Sequence, residues 1–164
     1  MKLGLRVENH WRFECVGAEG RVKWVEEFDN LVCTGGMNDL LEKYFKGSGY
    51  TAAWYVGLTD ASPTFAAGDT MASHAGWTEN QNYTQGTRPP LSLGSASGGS
   101  IDNAASKAQF TINAATTVGG GFIATNGTKG GTTGTLYGGA AFTAGSRSVL
   151  NGDTLNVQVT LTVS

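Results

Sequence analysis

Residues 155–163, LNVQVTLTV, alternate without a fault: Leu155, Val157, Val159, Leu161 and Val163 are apolar, and Asn156, Gln158, Thr160 and Thr162 stand between them. A period of two puts the first set on one face of a β-strand and the second on the other, the pattern of a strand with one side in a core and one in water. The turn signal Asn151-Gly152-Asp153 immediately precedes it. The same rhythm recurs at the opposite end of the chain. Leu3, Leu5, Val7, Trp11, Phe13 and Cys15 take odd positions, with Lys2, Arg6, Glu8, His10, Arg12 and Glu14 on the even ones, and a break is expected near Asn9. Gly17-Ala18-Glu19-Gly20 reads as a turn, and Val22, Trp24 and Phe28 as a returning strand. Glu26 interrupts that alternation, which predicts a bulge or a strand end near Val25. Residues 3–28 are therefore expected to form a hairpin.

Between these ends lies one stretch with a different period. In MNDLLEKYF, residues 37–45, Met37, Leu40, Leu41, Tyr44 and Phe45 form an apolar stripe at helical spacing, opposite Asn38, Asp39, Glu42, Lys43 and Lys46. Thr34 is a suitable N-cap and Gly47 a suitable stop, so a short amphipathic helix is expected over 35–46. So short a helix is unstable alone in water, and a sheet is expected to cover its stripe. The remaining strands are expected within 52–163: 53–58 apolar on both faces, 77–84, 108–112, 118–124 with three glycines inside it, and 136–142. Residues 60–76 and 92–106 read as long loops. Many short strands, turn signals between them and one helix predict a mainly β chain. The expected fold is an antiparallel β-sandwich, jelly-roll-like, in a single domain over 1–164.

The chain has 164 residues and a net charge of −2, with no basic run, so a nucleic-acid surface is not expected. No eighteen apolar residues occur consecutively, so no membrane span is expected, and the N-terminal MKLGLRVENHW lacks a signal-peptide core. Residues 1–50 hold seven basic and eight acidic side chains, and the remainder holds four and five in a Gly/Ser/Thr-rich background. The helix needs later strands to cover it, so this shift is not a domain boundary.

The residue types that carry chemistry do not fall into working patterns. Gly127–Thr135, GTKGGTTGT, is glycine-rich around Lys129, but a glycine follows the lysine and no helix follows the loop, so it is not a phosphate cradle. His10 lies on the polar face of the first strand. His74 has Ser73 beside it and Asp69 and Glu79 nearby, without the paired spacing of a zinc site or the cross-fold geometry of a nucleophile and its base. Asp60, Asp69, Glu79, Asp102 and Asp153 are scattered through loops, where an acid pair for glycoside hydrolysis would have to come together in space. Trp54, Tyr55, Trp77 and Tyr83 serve either a core or a sugar-binding face. Cys15 and Cys33 are expected to be free, buried thiols. No catalytic, cofactor-binding or metal-binding residue is assigned.

The order of a Trp-bearing hairpin, NLVCTGGMNDLLEKYFKGSGYTAAWYVGL (30–58) and DTMASHAGWTE (69–79) resembles a family of small structural proteins of tailed bacteriophages and prophages. FTI, KGGTTGTLY and GDTLNVQVTLT resemble the closing segments of the same family, so the likeness runs from about Trp11 to Thr162. The resemblance implies a virion component made in the host cytoplasm, with no cofactor and no enzymatic role. It favours a head decoration (cement) protein that binds the major capsid protein as a homo-oligomer, a dimer or trimer, on the outside of the shell. The alternative it leaves is a tail-associated or receptor- and glycan-binding module. A small wall hydrolase would require an acid pair meeting in a cleft.

Overall fold

The computed structural model describes residues 6–49 and 53–164. In chain order the strands are β1 (Val7–Val16), β2 (Val22–Asp29), β3 (Leu31–Val32), β4 (Tyr55–Thr59), β5 (Glu79–Asn80) and β6 (Ser100–Asp102). They continue as β7 (Ala108–Thr111), β8 (Thr116–Val118), β9 (Gly120–Ala124), β10 (Leu136–Ala141), β11 (Arg147–Val149) and β12 (Thr154–Val163). A helix, α1 (Thr34–Leu40), follows β3 and runs directly into a π-helical turn at Leu41–Phe45.

The stretch LNVQVTLTV is the centre of the first sheet. β12 pairs along its whole length with β1, antiparallel from Val7↔Val163 to Val16↔Thr154. Its other edge is shared by β6, at Thr160–Thr162, and β7, at Thr154–Val157. β2 completes the sheet beyond β1. The second sheet has the order β3-β10-β9-β4-β5, and β8 and β11 form a separate two-stranded ribbon. All pairings are antiparallel. The main core lies between the two sheets, with Trp11, Phe13, Phe110, Leu155, Val157 and Val159 meeting Val56, Leu58 and Ile123. Phe13, Phe28 and Phe142 close it with ring centroids 5.0–5.6 Å apart, an arrangement that adds directional attraction to the burial.

The chain is the expected antiparallel sandwich with one short helix. The jelly-roll-like part of that expectation asks for two Greek keys, and these strand orders do not establish it. The second sheet is buried on both faces, because Phe122, Ala124 and Leu136 point away from the main core into a smaller cluster with Met71, Trp77 and Phe65. The apolar residues of the loop expected at 60–76 are thus turned inward as a cover over β9. Gly121 lies where that sheet meets the first: a Cβ there would stand 2.8 Å from the Phe13 ring, so only glycine lets the rings approach.

Several expectations are corrected. The part of the hairpin expected at residues 3–5 lies outside the described residues. β1 does not break at Asn9, whose buried side chain is held by Asn30 at 2.6 Å. β2 has no bulge at Glu26. The register shift is between Cys15 and Val16, and Glu26 sits inward opposite Phe13, where Arg147 Nε meets it at 2.6 Å. The strand expected at 77–84 is only β5, and 118–124 is split at Gly119 between β8 and β9. Thr34 begins the helix rather than capping it; Cys33 holds the cap position without a side-chain hydrogen bond. The sheet covers only the Leu40 part of the apolar stripe and leaves Met37, Leu41, Tyr44 and Phe45 exposed.

Two predictions rest on this core. Phe13→Ala should cost about 3–5 kcal/mol in urea unfolding, the usual loss for a buried ring. Leu41→Ala, on the helix face left in water, should change the stability of the monomer by less than about 0.5 kcal/mol.

Candidate protein-docking site

Gly36 fixes how α1 sits. A Cβ at that position would come 2.5 Å from the Tyr137 carbonyl oxygen, so glycine allows the helix to rest directly on the β10 backbone. Cys33 N–H donates to the same carbonyl at 2.9 Å and Thr34 N–H donates to Ala67 O at 2.9 Å, which ties down the first turn. With Gly36 inward, Leu40 and Lys43 share its side of the helix and are half-buried. Met37, Leu41 and Phe45 are carried to the other side. They are 44%, 52% and 67% exposed, and Tyr44 is 77% exposed. The π-helical turn widens the backbone at residues 41–45, where the Tyr44 and Phe45 rings stand edge to face, 5.0 Å apart. The stripe read from sequence is real, but the body takes up only Leu40 of it.

Beside the helix runs a groove of about 510 Å³. Leu40 and Tyr44 form one wall and Ile101, Leu161 and Val163 the other, with Trp54 between them. Trp54 is braced edge to face against Tyr137 at 5.5 Å. Asp39, Lys43 and Ser100 are the polar side chains of a lining that is otherwise apolar. A sugar site needs several converging hydroxyl and carboxylate partners, whereas a lining of this kind suits apolar side chains of a protein.

Of the other residues singled out from sequence, Asp69 and His74 meet at Trp77 and the rest are dispersed, and all are used structurally. His10 lies 3.0 Å from Asp29 on the surface. His74 stacks on Trp77 at 3.7 Å, with Nδ1 3.0 Å from the Trp77 carbonyl oxygen. Ser73 N–H bonds Thr70 Oγ1 within a turn. Asp69 accepts from Trp77 Nε1 and Ala66 N–H, and Asp102 accepts from Ala104 N–H. Asp60 joins its backbone N–H to Thr78 O. Tyr55 is half-buried, while Trp77 and Tyr83 are core residues, so these aromatics do not make a sugar platform. Among the described residues no three His, Cys, Asp or Glu side chains converge to hold a metal ion. Both cysteines are free and buried. Burial, and then the charge of Asp153, pushes the Cys15 thiol up to about 12, and burial followed by Asp69 pushes Cys33 up to about 11. Neither forms a ready nucleophile.

Two buried charge clusters carried no sequence signal. Arg88, fully buried, forms a bidentate pair with Glu79 at 2.7 and 2.8 Å. It also donates to Asn126 O and Gly131 O and lies 5.0 Å from the centre of the Phe122 ring. Glu79 accepts from Gly130 N–H, so the glycine-rich loop wraps an internal ion pair and not an external anion. Lys129 of that loop lies over the Tyr83 ring at 3.9 Å. In the second cluster Asp153 accepts from Lys23 at 2.6 Å and from Leu150 N–H at 2.9 Å. Burial works against its charge, but these hydrogen bonds outweigh it and hold its carboxyl below the ordinary value.

Each cluster makes a prediction. Arg88→Met should destabilise by about 3–5 kcal/mol, because Glu79 is left buried and unpaired, and Arg88→Met with Glu79→Leu should recover much of that in urea titrations. A carboxylate with a depressed folded pKa contributes stability that is complete above its unfolded value of 3.8 and is lost as pH falls through the folded one. Between about pH 5 and pH 2 the wild type should therefore lose stability more steeply than Asp153→Asn.

A model of the family described as "Podophage GP4 fiber I protein gp80" matches residues 32–163, from β3 to the end of β12. No curated protein matches the chain. With most of its length covered, α1, the groove walls and the Arg88–Glu79 pair included, the chain belongs to this podophage fiber I family of virion structural proteins.

Proposed function

We propose that the chain is a fibre-type attachment part of the phage particle, binding neighbouring virion proteins through α1 and its groove and transforming no substrate. The observation that carries this reading is the apolar helix face left in water beside an apolar groove. A face of this size on a folded chain is the mark of a protein contact. The family description adds a fibre setting, which favours the tail-associated reading. The apolar lining of the groove argues for a protein ligand over a glycan.

Capsid decoration, with the major capsid protein as partner, is the second reading. It is favoured by the two sheets, which close on each other around one core without the repeats of an elongated shaft. Gold-labelled antibody against the chain, imaged on intact virions, separates the two. Label on the tail is expected; label spread over the head would establish decoration in its place. A purified particle that carries none of the protein would overturn both.

A further inference from the structure

We propose that the occupant of the exposed helix face is a second copy of this chain, docked helix against antiparallel helix around a twofold axis near Leu41. This rests on the reading of the chain as an attachment part, and it names the contact that the face makes.

The face has a centre. Leu41 lies in the middle of the exposed line, with Met37 four residues before it and Phe45 four residues after it. Positions four apart share a side of the helix, so the three side chains form one row about two turns long. A twofold through Leu41 sets Leu41 against its own copy and brings each Phe45 onto the partner's Met37. A flat ring then meets a long thioether chain, which adapts to an aromatic surface. This self-match is what an isologous contact requires, since the same patch must serve both sides.

The charges around the row agree. Lys46 is paired with Glu42 of its own helix at 2.9 Å, and Lys43 lies on the body side of the helix. The flank meets an identical flank with its charges already matched, so no like charges are forced together. A foreign partner recognised by charge would need an excess of one sign, and the chain as a whole carries only −2. The area is in proportion. Two rings at least two-thirds exposed and two aliphatic chains at about half amount to roughly 400 Å² of apolar surface per copy. A stable contact takes about 800 Å² per partner, apolar at its centre and polar at its rim. The exposed Asn38, Glu42 and Lys46 beside the row provide such a rim.

The test is the mass of the purified full chain in solution, by light scattering after size exclusion. The wild type should run at twice the chain mass at micromolar concentration, and Leu41→Glu at the chain mass with an unchanged far-ultraviolet spectrum. Leu41→Cys should link into dimers with a short bis-maleimide far faster than Asn151→Cys, which is exposed elsewhere; the native thiols are buried. A wild type that stays at the chain mass overturns the inference, as does equal linking of the two cysteine variants. If the wild type is monomeric yet Leu41→Glu is lost from virions, the occupant is a different virion protein. The inference then fails while the proposed function stands. A dimer that no virion carries would reverse that outcome.

Discussion

The molecule depends on β12 being hydrogen-bonded along both edges. One edge is taken by β1 over its full length and the other by β6 and β7 in succession. A strand without a free edge cannot slip, because a shift by one residue would turn Leu155, Val157 and Val159 into water and Asn156 and Gln158 into the core. The register of the first sheet is therefore set by one alternating sequence. The aromatic rings of β1 and β2 then face β9 and β4 in a fixed position.

That part of the fold was legible because period two is a local property, written in adjacent residues. What was not legible depends on neighbours far along the chain. Glu26 breaks the alternation of its strand, which ordinarily marks a bulge. Here Arg147 comes from the other end of the chain to neutralise it, and the strand continues. Arg88 stands before two prolines with nothing local to mark it, yet it organises a loop some forty positions away. The helix shows the same limit in reverse. Its stripe is correct at the level of sequence, but sequence cannot say which side faces the body. Gly36 decides that by contact with the Tyr137 carbonyl, and it turns the stripe outward. The exposed face was thus visible as a pattern and misassigned as core.

The titratable and aromatic residues that raised the question of chemistry are absorbed by structure. Asp69, Asp102 and Asp153 hold turns, Glu79 anchors a buried arginine, and Trp77 and Tyr83 fill cores. Each is held by structural partners, Asp69 by Trp77 among them. The apolar groove and the helix beside it are where the surface departs from what a self-contained domain needs. Membership in a family of virion structural proteins agrees with a surface shaped for neighbours.

The pairing of β1 with β12 also constrains the order of events during synthesis. The first described strand finds its principal partner only when the last one has left the ribosome. Until then the β1–β2 hairpin holds Trp11, Phe13 and Phe28 without their cover, and the edge of β1 that β12 will occupy is open. Contacts so distant in sequence slow folding and leave the nascent chain prone to aggregation. Glu8, Arg12 and Glu14, alternating along that waiting strand, put charge where a stray strand would otherwise pair. The polar face of β1 thus protects the chain before it has folded as well as solvating it afterwards.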